Sequence, residues 1–84
     1  DVQTNAAYLK WQEALQQAQL YKESEALANE NYRIIEAKYL NQLALQADMT
    51  DATNAKLEAE LQYANSEINV QYQYYNLIKT TGTL

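Results

Sequence analysis

The sequence predicts an all-α fold, a long antiparallel helical hairpin of the coiled-coil type. Three observations support this prediction. The chain of 84 residues has no proline and one glycine, so little in it can stop a helix. Its apolar residues recur at alternating spacings of three and four, which is typical of one face of an α-helix. The pattern changes once, in the stretch LALQADMTDATN at residues 43–54, where we expect the chain to reverse.

A first helix is expected over about residues 2–45. One apolar stripe on it comprises Ala7, Trp11, Ala14, Ala18, Tyr21, Ala28, Tyr32, Ile35 and Tyr39. Glu25 interrupts this stripe. A second stripe recurs every seven residues, at Leu20, Leu27 and Ile34. A helix of this length, roughly 65 Å at ~1.5 Å per residue, needs a packing partner because intrinsic propensity alone seldom holds it.

The tip turn is expected at about residues 43–50. We assign Asp48 as the N-cap of the next helix, its carboxylate accepting a hydrogen bond from the backbone N–H near Asp51. Asp51 then takes the place of the acidic partner in a capping box, and both carboxylates lie at the positive end of the helix dipole. The apolar side chains expected at the exposed tip are Leu43, Leu45 and Met49.

A second helix is expected over about residues 49–80. One of its stripes comprises Leu57, Leu61, Ala64, Ile68, Tyr75 and Ile78. The other comprises Ala52, Ala59, Tyr63, Val70 and Leu77. The run INVQYQYYNLI also alternates with period two, as a strand does, but both helical stripes continue through it in phase. Lys79 in the last turn and Gly82 just after it are typical of a helix end.

Each half of the chain therefore carries two apolar stripes, whereas a helix in a lone two-helix hairpin needs one. The second stripe indicates neighbours on two sides, as in a bundle or a closed ring of helices. Two alternatives stay open. In the first, the second stripe is ordinary alanine background on an exposed face. In the second, the chain is one unbroken helix that pairs with other chains, because the turn contains no glycine.

Charge and composition exclude several functions. The formal net charge is −5, with 11 acidic and 6 basic residues, which argues against nucleic acid and anionic membrane surfaces as partners. No segment approaches the ~20 apolar residues that a membrane-spanning helix needs. Without histidine or cysteine, zinc sites and cysteine nucleophiles are not available. No Ser, Lys or Arg accompanies the carboxylates as a catalytic set, so we expect no enzyme activity, no cofactor and no metal site.

Several motifs at fixed spacing resemble the last helical hairpin of TolC-like outer-membrane efflux proteins. In that family a tyrosine precedes the tip by about nine residues, a D-x-x-D-A motif follows, and the closing helix ends in G-T-L or similar. The matching residues here are Tyr39, Asp48, Asp51, Ala52, Ala59, Ala64, Leu77, Gly82, Thr83 and Leu84. Upstream, AYLKWQEA and ALANENYR resemble the family's preceding helix, so the likeness covers nearly the whole chain.

The resemblance implies a segment of a trimeric channel in the outer membrane of a Gram-negative bacterium. This segment would lie in the periplasm as the second helical hairpin of an α-helical barrel, a piece of a longer protein. The channel would be a passive export conduit that works with a periplasmic adaptor protein and an inner-membrane pump. The hairpin tips are the family's adaptor-docking sites, which here correspond to Leu43, Leu45 and Met49.

The resemblance also implies a gate. Asp48 and Asp51 match positions that form acidic rings at the channel entrance, and Tyr39 matches a tyrosine that helps hold the closed entrance by hydrogen bonding. Two positions depart from the family pattern: Gln42 replaces the usual tip glycine, and Ala44 replaces an arginine of some members' gate network. We therefore expect a different tip backbone and a closed-state lock that is weaker or built otherwise.

Simpler interpretations accompany each of these residues. The aspartates are plain helix-capping groups, Tyr39 belongs to an apolar stripe, and the apolar tip residues pack the turn against the helices. On that view the chain is a generic coiled-coil hairpin, a structural or protein–protein interaction module.

Overall fold

The computed structural model describes residues 1–82 and confirms the predicted fold class. Two α-helices, α1 (Val2–Leu40) and α2 (Gln46–Thr80), run antiparallel and form a hairpin 61 Å long. The alternative of one unbroken helix is therefore wrong. The run at residues 68–78 is helical, as expected, and no strand occurs within residues 1–82. Thr83 and Leu84, the end of the G-T-L motif, lie outside the described residues.

Helix α1 ends at Leu40, five residues before the predicted end. Gln42 adopts a left-handed conformation with φ 61°. The Gln42 N–H donates to the Tyr39 carbonyl at 3.0 Å, and the Leu43 N–H donates to the Lys38 carbonyl at 2.7 Å. This pair of bonds is the Schellman motif, which satisfies the last carbonyls of a helix and stops it. The predicted end was wrong because Leu43 lies four residues after Tyr39, a helical spacing, although the backbone has already turned there.

Helix α2 begins at Gln46, three residues earlier than expected. Leu45 is the N-cap, with extended backbone angles of φ −81° and ψ 158°. The turn thus occupies residues 41–45 rather than 43–50. At the other end the prediction is confirmed: Lys79 lies in the last turn, and Gly82 follows with φ 77°, its N–H donating to the Lys79 carbonyl at 3.2 Å.

The helices pack along a seam of small residues. The four buried residues in the described part of the chain are Ala14, Ala52, Ala59 and Ser66. Half-buried seam residues of α1 are Ala7, Trp11, Ala18, Tyr21, Glu25, Ala28, Tyr32 and Ile35. Those of α2 are Lys56, Tyr63, Val70, Gln73 and Leu77. The first predicted stripe of α1 and the Ala52 stripe of α2 therefore face each other, and Glu25 lies within the seam rather than interrupting it.

The remaining stripes lie on the exposed sides of the hairpin. Leu20, Leu27 and Ile34 of α1 are exposed, and so are most members of the second α2 stripe. The exposed members of the α2 stripe are Leu57, Leu61, Ala64, Ile68 and Tyr75, whereas Ile78 is half-buried. These stripes consist mainly of Leu, Ile and Tyr, with Ala64 as a single alanine.

Candidate functional site

The hairpin tip presents an exposed apolar cluster. Leu40, Leu43 and Leu45 are 74%, 77% and 72% exposed, respectively. Leu43 and Leu45 were predicted at this place, and the structure puts both there. Leu40 was missed. Leu40 directly follows Tyr39, the last residue of the α1 stripe. Because successive residues of a helix are rotated by ~100°, its side chain points away from that stripe.

Met49 differs from the other apolar residues predicted at the tip. It lies three residues before buried Ala52 and seven before Lys56, on the seam side of α2, and is half-buried. Its carbonyl accepts a hydrogen bond from the Thr53 hydroxyl at 2.8 Å. Met49 therefore packs toward α1 at the base of the tip, and the exposed surface comes from the turn and the end of α1.

Asp48 caps α2, but not as predicted. It is the third residue of the helix, and its carboxylate accepts a hydrogen bond from the Leu45 N–H at 3.1 Å. This is the acidic half of a capping box; the reciprocal half is missing because leucine has no side-chain acceptor. The assignment of Asp48 as the N-cap is wrong because the helix begins two residues before it.

Asp51 is the sixth residue of α2, one turn beyond Asp48 on an adjacent face. It is exposed and has no hydrogen-bond or ion-pair partner among residues 1–82. The prediction that Asp51 is the acidic partner of a capping box is wrong, because Asp48 has that role three residues earlier. Its carboxylate is consequently unengaged, whereas that of Asp48 holds the turn.

Tyr39 lies one turn below the tip. It occupies the last seam position of α1 but is 40% exposed, because α1 ends and the chain leaves the seam just after it. Its carbonyl accepts the Gln42 N–H, whereas its hydroxyl has no partner in the described part of the chain. The structure therefore places Tyr39 at the same end of the hairpin as Asp48 and Asp51.

Gln42 occupies the position where the family pattern has glycine. With φ 61° it is the one residue other than glycine with positive φ in residues 1–82. A left-handed conformation costs a residue with a Cβ about 1–2 kcal/mol. The chain reverses here even without glycine, because the two Schellman hydrogen bonds and the Asp48 cap determine the conformation together. The backbone strain of the turn therefore falls on Gln42.

Polar residues cross the seam above the tip. The Lys56 ammonium lies 4.5 Å from the centre of the Tyr32 ring. A hydrogen bond to Glu36 and the charge of its carboxylate raise the pKa of the Tyr32 hydroxyl. Farther along, a hydrogen bond to Glu67, burial, and the charges of Glu67 and Glu25 raise the pKa of Tyr63. Side chains of both helices therefore meet at defined levels along the seam.

The open end of the hairpin is aromatic. The ring centres of Trp11 and Tyr74 are 5.7 Å apart across the two helices, and those of Tyr8 and Trp11 are 6.0 Å apart. Trp11 and Tyr74 therefore pack against each other between α1 and α2. Tyr72 and Tyr75 are exposed.

Within residues 1–82 no group of three or more acidic side chains is arranged to hold a metal ion. Neither α1 nor α2 is long and apolar enough to cross a membrane. An open groove of about 320 Å³ between the helices is bordered by Leu15, Lys22, Tyr63 and Glu67. These residues form no nucleophile–base pair, so the tip remains the strongest candidate site.

Comparison with protein-family models, with curated proteins and with solved structures finds no match for this chain.

Proposed function

We propose that this chain is a periplasmic duct segment of a trimeric outer-membrane efflux channel, a passive export conduit that works with an adaptor protein and an inner-membrane pump. The observation that carries the proposal is the pair of exposed apolar stripes. Leu20, Leu27 and Ile34 of α1, and Leu61 and Ile68 of α2, lie away from the seam. A hairpin in a closed ring of helices has a neighbour on each side, and these stripes supply both contacts.

The tip supports the same proposal. Leu40, Leu43 and Leu45 form an exposed apolar patch on a turn that is stiffened by backbone hydrogen bonds. Such a patch suits the docking of an adaptor protein, since apolar side chains at the centre of an interface dominate its energy. Met49 is half-buried beneath this patch and would support it from the seam side of α2.

In a trimer, three copies of Asp51 would surround the channel entrance. A ring of carboxylates attracts cations and repels anions. Asp51 suits this role better than Asp48, because the Asp48 carboxylate already accepts the Leu45 N–H. Tyr39, with its hydroxyl unengaged in residues 1–82, would provide a donor for hydrogen bonds that hold the closed entrance.

The test is the substitution Asp51→Asn in the full-length protein, with channel conductance measured in planar bilayers at increasing concentrations of a divalent cation. We expect weaker block by the cation, because the substitution removes one charge per subunit while keeping the shape of the side chain. Glu58→Gln, one seven-residue repeat farther from the tip on the same face of α2, is the matched control and should leave the block unchanged. Equal block in Asp51→Asn and the unsubstituted protein would contradict the gate role.

A second candidate function is a coiled-coil interaction module in another large protein. The seam favours it, since Lys56 with Tyr32 and Trp11 with Tyr74 join the two helices along most of their length without any neighbour. The sequence flanking the hairpin separates the two candidates. The efflux proposal requires alternating strand patterns before α1 and an earlier hairpin of similar design.

A further inference from the structure

A polar groove lies between the two helices near the open end of the hairpin. Its volume is about 450 Å³, within the range of about 300–1,000 Å³ that is usual for small-molecule sites. We call it the open-end groove. Its lining includes Gln3, Ala6 and Lys10 of α1, and Gln73, Asn76 and Lys79 of α2. We propose that the open-end groove binds a small hydroxylated molecule that carries one phosphate monoester group.

The two lysines of the open-end groove come from facing helices and have no carboxylate partner. Lys10 belongs to α1 and Lys79 to α2, and neither forms an ion pair within residues 1–82. The sequence has no acidic residue at positions 2–12 or 68–82. Two positive charges therefore line one groove of a chain whose net charge is −5.

The acidic residues nearest to the groove along the chain leave both lysines unpaired. The Asp1 carboxylate accepts the Thr4 N–H at 2.7 Å and so caps α1. Glu13, three residues after Lys10, is not part of the groove lining and forms no ion pair in the described part of the chain. The dipoles of the two antiparallel helices offset each other at this end of the hairpin. The attraction for an anion therefore comes from the two lysines.

Two lysines favour a compact ligand with two negative charges. A phosphate monoester carries a charge of about −1.5 to −2 at pH 7, which two ammonium groups balance. Lysine binds phosphate as a point charge, whereas the fork of an arginine matches a planar carboxylate best, and no arginine lines this groove. A nucleic acid is disfavoured, because its run of phosphates would meet a chain of net charge −5 outside the groove.

Amide side chains supply contacts for the rest of the ligand. The side-chain amides of Gln3 and Asn76 have no hydrogen-bond partner within residues 1–82. The Gln73 amide nitrogen donates to the Asn69 side chain at 3.3 Å, which leaves the Gln73 side-chain oxygen as an acceptor. Ala6 carries only a methyl group and leaves space beside these amides. Donors and acceptors together suit a ligand with hydroxyl groups, because each hydroxyl both donates and accepts.

The test is a titration of the 84-residue chain with glycerol 3-phosphate, a phosphate monoester with two hydroxyl groups. Isothermal titration calorimetry at neutral pH and low ionic strength measures the affinity. Glycerol is the uncharged comparison, and acetate is the comparison with one charge. We expect the ester to bind at least about ten-fold more tightly than either of them. In NMR spectra of the labelled chain, the side-chain amide signals of Gln3 and Asn76 should shift.

Four single variants locate the binding. Lys10→Gln and Lys79→Gln should each weaken it about three- to ten-fold by removing one charge. Ala6→Leu keeps both charges but fills the groove, and should weaken binding by a similar factor. Lys22→Gln is the matched control, because Lys22 lines the other groove, together with Glu67, and its loss should leave the affinity unchanged. Circular dichroism verifies that every variant keeps its helices.

Three results would overturn the inference. One is equal affinity for glycerol 3-phosphate and acetate. Another is an equal loss of affinity in Lys22→Gln and Lys10→Gln, which would show attraction by charge alone. The third is binding to vesicles of phosphatidic acid without binding of glycerol 3-phosphate, which would identify a membrane surface as the ligand. None of these results bears on the conductance test of Asp51, because the open-end groove and the tip lie at opposite ends of the hairpin.

Discussion

The ammonium group of Lys56 in α2 lies 4.5 Å from the centre of the Tyr32 ring in α1. Both residues occupy seam positions, and Glu36 bonds to the hydroxyl of the same tyrosine. A slip of one helix along the other by a turn would move the lysine off the ring. In a seam whose buried residues are alanine and serine, which many registers accommodate, this contact favours one register over the others.

We expect a measurable coupling between Lys56 and Tyr32. In a double-mutant cycle with Lys56→Gln and Tyr32→Leu, the coupling free energy of unfolding should be about 0.5–1 kcal/mol, the usual size of a partly exposed cation–π pair. Urea unfolding followed by circular dichroism measures it. Lys10→Gln combined with Tyr32→Leu is the control, and its effects should be additive. Additive effects in the Lys56 cycle as well would show that the contact has no energetic significance.

Gln42→Gly should stabilise the hairpin. The residue has φ 61°, and replacing a side chain by glycine relieves left-handed strain of about 1–2 kcal/mol while adding backbone entropy to the unfolded chain. We expect a net gain of about 0.5–1 kcal/mol in the free energy of unfolding. Gln42→Ala retains the Cβ and should bring no gain. If both variants have the same stability, the left-handed turn at Gln42 is not the conformation in solution.

The two aspartates near the tip should differ in their effect on stability. Asp48→Ala removes the acceptor of the Leu45 N–H and should lower the free energy of unfolding by about 1 kcal/mol. Asp51→Ala removes an exposed carboxylate without a partner and should change it by less than about 0.5 kcal/mol. Thermal unfolding at neutral pH distinguishes them. A larger loss for Asp51→Ala would mean that α2 begins three residues later, as the sequence pattern predicts.

Alkaline pH should destabilise the hairpin through two tyrosines. The folded-state pKa values of Tyr32 and Tyr63 lie above the ordinary value of 10.0, because Glu36 and Glu67 bond to the protonated hydroxyls. The folded chain thus holds these protons more tightly than the unfolded chain does. This stabilisation is complete below pH 10 and is lost as the pH rises through the folded-state pKa values.

The measurement is urea unfolding at several pH values between about 9 and 11. The chain with Tyr32→Phe and Tyr63→Phe should lose less stability over this range than the unsubstituted chain. Tyr8→Phe with Tyr72→Phe serves as the control for the loss of two hydroxyl groups elsewhere in the chain. Parallel curves for all three chains would contradict the assigned hydrogen bonds.

The tip shows where prediction from sequence is limited. The existence of the turn was predicted correctly, but it was expected at residues 43–50 and occupies residues 41–45. The reversal depends on Gln42, which has a left-handed backbone conformation. A glycine at this position would have predicted that conformation, whereas a glutamine does not. The sequence predicted correctly that Asp48 caps α2. The predicted donor, the N–H near Asp51, was wrong, because the start of α2 depends on the Schellman hydrogen bonds that end α1. The polar pair Asn41 and Gln42 was the available signal.

Local spacing in the sequence determined that this chain forms two long helices and which residues share a face, because helical periodicity depends only on neighbours a turn apart. Each helix had two candidate stripes, and the sequence offered no ranking between them. Tertiary packing decided that the stripes of Ala14 and Ala59 face each other. Small side chains let the two backbones approach closely along the whole hairpin. The larger leucines and isoleucines are thereby left on the outer sides.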